Sequence, residues 1–344
     1  MKRTERSPGA KRIVLVVLSV VLSLVLVVLI VGTAYMESLL NLINKNPDDS
    51  TMSPEEYREF LNSQTENTNP DFTGETIDPT DVTLDLNKKP VENAEHIINI
   101  MLIGQDRRPG EGRTRSDVMI LCTVNTVTQE LNMTSFMRDL YVSIPGYQDN
   151  RMNACYAFGG MKLLDKCLEE NFGVHVDGNI EVDFDGFKDV INLMGGVDIY
   201  LSNSEANYLI AKGHNVKAGM NLLDGSAALA YARNRSIGSG DFSRTERQRK
   251  VMSALIEKCR GMSITQMKSL MEKALPMITT DLSNREILDY LLEIAPMLSK
   301  LKVKTNRIPT DDTYKYASIR GMSVLLPDLE ANRAVLQDIM GSKE

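Results

Sequence analysis

Nineteen consecutive residues, Ile13 to Val31, are Ile, Val, Leu or Ser, without a single charge. No other feature restricts this chain as much, because a helix with no polar face needs apolar surroundings on every side. At ~1.5 Å per residue the run is about 28 Å long, enough to cross the hydrocarbon core of a bilayer. It exceeds the ~7–15 apolar residues of a signal peptide. An uncleaved transmembrane anchor over 13–34 is therefore expected, although Gly32-Thr33-Ala34 has the form of a cleavage site. Lys2, Arg3, Arg6, Lys11 and Arg12 against Glu5 leave residues 1–12 at +4. A basic flank on that side places the tail 1–12 in the cytoplasm and the rest of the chain outside the cell membrane.

Charge stays segregated further along. Residues 46–96 carry 13 acids and 3 bases, a net of −10. The stretch from Asn62 to Thr80 is rich in Asn, Thr, Asp, Pro and Glu. Such a composition buries too little apolar surface to offset its ordering entropy, so residues 35–95 read as a solvated acidic stalk, with room for short helices at 36–45 and 53–62. The whole chain is at −7; +4 and −10 leave −1 for residues 97–344, Glu37 and Lys45 cancelling. An acidic total argues against a nucleic-acid partner. The three histidines (His96, His175, His214) are scattered, and the four cysteines show no CxxC spacing. A multi-His zinc site of the HExxH kind is thereby excluded, and a zinc-ribbon or thioredoxin reading has no support.

Residues 96–344 read as one α/β domain. Short apolar runs at Ile97–Gly104, Asp117–Asn125, Leu131–Met137, Ile180–Phe184, Val197–Leu201 and Val303–Ile308 predict strands. Helical spacing recurs at Asn153–Phe172 (with a break at Gly159-Gly160), Asp185–Met194, Gly225–Asn234, Arg244–Arg260, Ile264–Met277, Arg285–Ser299 and Asp328–Met340. Alternation of the two implies a three-layer αβα sandwich with a central mixed sheet. Cys155 and Cys167 would lie ~18 Å apart on a continuous helix, too far to bridge, whereas a break at the glycine pair would permit a disulfide.

Ligands of α/β sheets favour the loops beyond strand ends, and here those loops concentrate arginine and aspartate. Asp106 follows the first strand. Arg115 and Asp117 lead into the second, and Arg138-Asp139 end the third. Arg233 and Arg235 are two apart and would share a face only if the helix unwinds towards Gly238-Ser-Gly240. Ser243-Arg-Thr-Glu246 has the form of a capping box. It would put Arg244, Arg247 and Gln248 on one face of a helix start, beside free N–H groups. A solvated basic helix face is the plainer reading of this one segment. Concentrated arginine suits bidentate recognition of phosphate oxygens. Aspartates among the arginines make sense if Mg²⁺ bridges carboxylate and phosphate, with Asp106 and Asp117 as ligands. The pattern therefore points to a diphosphate substrate. No phosphate-binding glycine loop or Ser-His-Asp arrangement is readable, so direct transfer at phosphorus is expected.

The ordered motifs IGQDRR (103–108), RTRSDVMIL (113–121), SFMRDLYVSIPG (135–146), MNACYAFGG (152–160), GGVDIYL (195–201), LDGSAALAYARNR (223–235) and DFSRTERQRKV (241–251) resemble the LytR-CpsA-Psr family. The resemblance covers about residues 97–260 and continues more weakly through RIPTDD (307–312). It implies a bacterial enzyme outside the cell membrane that moves a glycopolymer, such as teichoic acid or capsule, from a polyprenyl-pyrophosphate carrier to peptidoglycan, assisted by Mg²⁺. It also implies metal-associated Asp106 and Asp117, and pyrophosphate contacts from Arg115, Arg138, Arg233, Arg235, Arg244 and Gln248, with Arg247 and Arg249 as further contacts from the same helix. Asp139 would orient an arginine or take a proton. A polyprenyl tail needs an apolar groove, for which Gly186–Met194, Leu222–Ala232 and Met252–Leu255 are candidates. Two other readings are a hydrolase of the same lipid-linked diphosphate and a non-catalytic envelope regulator. The twelve residues before the span argue against a DNA-binding regulator.

Overall fold

The computed structural model describes residues 32–45, 47–64, 74–86, 90–91, 96–106 and 113–341. The expected cytoplasmic tail and the apolar run 13–31 lie outside the described residues. Among the described residues no helix is long and apolar enough to cross a membrane.

Six strands form the central sheet: β1 (Ile97–Gln105), β2 (Ser116–Asn125), β3 (Glu130–Phe136), β4 (Gly178–Asp183), β5 (Thr279–Thr280) and β6 (Lys302–Ile308). Their order is β5-β4-β1-β2-β3-β6. β1 pairs with β4 in parallel and with β2 antiparallel; β2–β3 is an antiparallel hairpin, and β6 runs parallel to β3. The sheet is mixed, as expected. Its strands are apolar on both sides because both faces are covered. Met101 and Ile103 of β1 pack with Met119 and Leu121 into one core; Ile98 joins Ile120 and Val124 in another.

Among the described residues, besides helical residues 32–40, the α-helices are α1 (Pro54–Gln64), α2 (Met152–Phe172), α3 (Phe184–Leu193), α4 (Asn203–Ala211), α5 (Gly225–Arg233), α6 (Asp241–Arg260), α7 (Ile264–Ala274), α8 (Asn284–Ile294) and α9 (Leu329–Met340). α2 and α9 cover the first face, while α6 and α8 contribute to the second. Side chains of α3, α5 and α6 also form a separate core under the hairpin Val197–Leu201/Gly219–Leu223.

α2 breaks where expected. Gly159 and Gly160 leave helical geometry, Gly160 at φ 65. A Cβ on Gly160 would lie 2.5 Å from the Asp48 carbonyl oxygen, so only glycine fits there. Cys155 and Cys167, either side of the break, are buried free thiols. Burial raises the Cys167 thiol well above its ordinary range, and a hydrogen bond with Cys155 adds to it.

The described parts of the segment read as a solvated stalk depart from that reading. Leu39, Leu40 and Ile43 are buried. Tyr57 and Phe60 of α1 stack edge-on against Phe158, with ring centroids 5.1 and 4.8 Å apart. Arg113 donates to the carbonyls of Ser50 and Ala157. A few large apolar side chains at helical spacing suffice to dock this segment, which average composition conceals. Glu75–Thr76 adds a parallel strand to the hairpin Tyr314–Ile319/Met322–Pro327. That three-stranded sheet was not foreseen, since its short strands are stabilised by distant partners.

Candidate functional site

The carboxyl end of β1 carries a bulge. Gly104 lies opposite Val118 and Gln105 opposite Ser116, which leaves Asp117 as an extra residue in β2. Bulges re-aim a side chain. Here Asp117 and Val118, neighbours that would normally point to opposite faces, both line one cavity. Gly104 permits the close approach, since a Cβ there would sit 2.9 Å from the Val118 Cβ.

α5 ends at Arg233, because Asn234 turns extended (φ −65, ψ 125). The helix thus unwinds as anticipated, and Arg233 and Arg235 both line the same cavity. The anticipated capping box does not form. α6 starts three residues earlier, at Asp241, with Gly240 (φ 60) as N-cap and no side-chain cap. Ser243 Oγ instead accepts from the Ser239 backbone N–H at 2.8 Å. Tight turning through Gly238 (φ 79) and Gly240 brings Asp241 itself into the site.

Around Asp117 a compact ionic network results. Arg138 Nη1 donates to Asp117 Oδ1 at 2.9 Å, and Arg244 Nη1 and Arg235 Nη2 lie 3.7 and 3.9 Å from that oxygen. Asp241 receives Arg244 Nη2 at 2.9 Å, with Arg138 Nε and Arg235 Nε both at 3.4 Å. Asp139 pairs with Arg138 Nε at 3.5 Å and Arg151 Nη1 at 3.4 Å. Nearby, Arg233 Nη2 donates to Asp106 Oδ2 at 2.8 Å, both side chains half exposed. Burial alone would raise Asp117, but Arg138, Arg244 and Arg235 outweigh it and hold the carboxyl below its ordinary range. Asp241 goes the other way: burial raises it despite Arg244 and Arg138. Arg115 and Arg244 are lowered to about 10, mainly by burial.

Arg115 is placed beside this network without an ion-pair partner among the described residues. Its guanidinium lies 4.5 Å over the Phe60 ring of α1. Counting Arg115, Arg138, Arg151, Arg235 and Arg244 against Asp117, Asp139 and Asp241, the cluster carries two surplus positive charges. The Nε atoms of Arg138, Arg151 and Arg244 are buried without a hydrogen bond. Surplus cation and unused donors suit an anion.

Arg247 is a candidate turned elsewhere. Its three nitrogens serve Glu205 Oε1 (2.9 Å), the Asn234 carbonyl (3.0 Å) and the Ile237 carbonyl (3.0 Å). It braces the loop that carries Arg235 and is absent from the cavity wall. Arg244 and Gln248, four apart, do line the cavity. Asp241 and Arg151 are site residues that sequence reasoning passed over. Asp241 belongs to the segment that reads most plainly as a solvated basic helix face, and only the Gly238–Gly240 turn hinted otherwise.

The cavity measures ≈ 770 Å³. Asp117, Arg233, Arg235, Arg244 and Gln248 line one end; elsewhere the wall is apolar, including Phe187, Met194, Leu229, Met252 and Leu270. The segments Gly186–Met194, Leu222–Ala232 and Met252–Leu255 all contribute side chains, as a groove for a lipid tail would require.

A sequence profile of the LytR_cpsA_psr family matches residues 59–337. This chain belongs to the LytR-CpsA-Psr family. Regulatory protein MsrR of Staphylococcus aureus (strain Mu50 / ATCC 700699) is 36% identical over 168 residues, 48% of this chain and 50% of MsrR. The polyisoprenyl-teichoic acid–peptidoglycan teichoic acid transferase TagU of Bacillus mycoides (strain KBAB4) is 37% identical over 174 residues, 50% of this chain and 55% of TagU. The chain thus spans about half the length of these relatives. Its fold is similar to the LytR-CPS2A-psr family protein YwtF (TagT) with bound octaprenyl pyrophosphate lipid, with a TM-score of 0.54 and 25% identity over 75% of this chain and 96% of that one.

Proposed function

We propose that this chain is a membrane-anchored transferase that moves a glycopolymer from a polyprenyl-pyrophosphate carrier to peptidoglycan. One observation carries the reading: a single cavity is apolar along its length and lined by arginine and aspartate at one end. Its ligand must therefore be an amphiphile with an anionic head. The structure similar to this one holds octaprenyl pyrophosphate, and TagU is named for the transfer of teichoic acid to peptidoglycan. The anchor is residues 13–34, with the N-terminus in the cytoplasm and the domain outside the cell membrane.

In this reading Arg138, Arg235 and Arg244, with Arg115 and Arg233, bind the diphosphate oxygens, and Gln248 adds a polar contact. An acceptor hydroxyl attacks the phosphorus that bears the polymer. The new P–O bond joins polymer phosphate to acceptor, and the bridging P–O bond breaks to release polyprenyl phosphate. The hydroxyl proton leaves to a carboxylate of the cluster, for which Asp241 is the better base because burial raises it. Asp139, held between Arg138 and Arg151, orients the arginine. Asp117, kept ionised, fixes three guanidiniums in place before charge develops.

Mg²⁺ belongs to the same proposal, with Asp106 and Asp117 as its protein ligands. No group of three or more His, Cys, Asp or Glu able to hold a metal exists among the described residues. A sparse carboxylate set fits Mg²⁺, which takes one or two carboxylates and completes its shell with water and substrate phosphate. When bound it would neutralise charge on the diphosphate.

The test is transfer from a lipid-pyrophosphate donor by the full chain in vesicles, with and without peptidoglycan. Arg235→Ala or Asp117→Ala should lower the rate about 10²–10³-fold. Unchanged transfer in both variants would overturn the reading, and product formation independent of peptidoglycan would make the chain a hydrolase.

A further inference from the structure

The cavity has a direction, and α6 measures it. Arg244, Gln248, Met252, Ile256 and Cys259 line it from successive turns of that helix. From Arg244 to Cys259 the rise is about 22 Å. The charged end is at Arg244; Cys259, Met267 and Leu298 bound the apolar end. On α7, Met267, Leu270 and Ala274 face the cavity at three- and four-residue intervals. Ile264, three residues before Met267, continues that stripe and is 90% exposed.

The chain leaving the apolar run follows another side of α7. Residues 32–40 are helical. Tyr35 OH donates to Glu272 Oε1 at 2.9 Å, and the Lys268 ammonium lies 5.0 Å from the centre of the Tyr35 ring. Further on, the Asn44 N–H donates to the Ile278 carbonyl and the Asn44 carbonyl accepts from Thr280. Partner numbers rise with residue number, so this segment and α7 run the same way. Gly32 is therefore about 5 Å of helical rise nearer than Tyr35 to the N-terminal end of α7. Gly32 directly follows Val31, the last residue of the uncharged run.

We propose that the N-terminal end of α7 is seated in the surface of the lipid bilayer, where Ile264 and Met267 form the portal through which an isoprenoid tail passes between membrane and cavity. This rests on the anchor and lipid-carrier readings above. It adds an orientation: the charged end of the cavity stands about 22 Å along α6 from the portal, and hydrocarbon beyond that length stays in the bilayer. A continuous apolar path avoids exposing the tail to water, where apolar surface is unfavourable. Met262, Met267 and Met271 suit such a doorway, being unbranched and adaptable.

The full chain, in vesicles of phosphatidylcholine and phosphatidylglycerol, would carry a photoreactive benzophenone side chain in place of Ile264 or of Tyr316. Tyr316 is 52% exposed in the three-stranded sheet, apart from α7. Lipid adducts at 264 should exceed those at 316 about tenfold, as for a side chain lying in the interface. Equal adduct yields, or a protein–protein adduct at 264, overturn the portal. A chain that does not float with the vesicles overturns the anchor reading and the portal with it. Ile264→Glu should slow transfer from a long-tailed donor in anionic vesicles about fivefold or more while sparing a soluble short-tailed donor. Equal loss with both donors, or loss with neither, overturns it as well.

Discussion

Placing a charge halfway down the cavity separates tail binding from head binding. Met252 lies eight residues beyond Arg244 on α6, about 12 Å along the helix, and lines the apolar stretch. Met252→Glu is close to volume-conserving, and in the free protein a cavity of ≈ 770 Å³ leaves the carboxylate room for water. A bound isoprenoid would displace that water and leave the carboxylate without a partner. Burying an unpaired polar group costs ~2–7 kcal/mol, and a charge escapes part of a larger penalty by taking up a proton. About 3 kcal/mol corresponds to a roughly 150-fold rise in Kd. Titration of a long-tailed diphosphate at pH 8 should show that loss, and lowering the pH should recover much of it as the carboxyl protonates. A donor with a single isoprene unit ends short of Met252, so its binding should be unchanged. Met252→Gln should fall between. Equal weakening for both donors would mean that the substitution damaged the site as a whole. Undiminished binding of the long-tailed donor would mean that the tail does not occupy this cavity.

Other perturbations address the scaffold. Arg247→Met breaks a pair whose side chains are 5% and 12% exposed, so unfolding free energy should fall by ~3–5 kcal/mol; denaturant titration reads this, and adding Glu205→Gln should restore part of it. Gly160→Ala forces a Cβ towards the Asp48 carbonyl oxygen at positive φ. It should cost at least ~1–3 kcal/mol in thermal unfolding and make residues 47–52 more sensitive to protease. Asp165 is raised to about 7, by burial above all, then by Asp281, Asp49 and Glu169, against one hydrogen bond from Asn179. Because the folded value lies above the unfolded one, the protein is favoured when Asp165 is protonated and loses that contribution as pH rises from about 4 through 7. Asp165→Asn should therefore raise stability at pH 8, by at most about 4 kcal/mol at 1.36 per unit, and change little at pH 4; melting curves at the two pH values check the sign.

Much of this was legible in the residues. Runs such as Ile97–Gly104 announce buried strands because both sheet faces are covered, and Gly159-Gly160 marks a break no other residue pair would tolerate so readily. The clustering of Arg115, Asp117, Arg138, Arg233, Arg235 and Arg244 near predicted strand and helix ends located the charged site. Arg247 shows where such reasoning stops. Helical spacing put it with Arg244 and Gln248, yet Glu205 and two loop carbonyls hold its guanidinium away from the cavity. Asp241 shows the converse, since two glycines with positive φ decide where α6 begins. The stalk reading failed in its described parts because composition averages over the few residues, Tyr57 and Phe60 among them, that dock it.

Sequence alone determined the local quantities: which segments are apolar enough to be buried, where the backbone must turn, and which stretches carry which charge. These depend on neighbours along the chain. Only the tertiary structure decided that the arginines share one ionic network, that a bulge turns Asp117 into the cavity, and that this cavity runs towards the segment following residues 13–31. Those facts depend on strand register and on which distant side chain satisfies each guanidinium, and many spatial arrangements agree with the same local pattern. The net charge of −7 illustrates the limit, because it gives no sign of a site carrying two surplus positive charges.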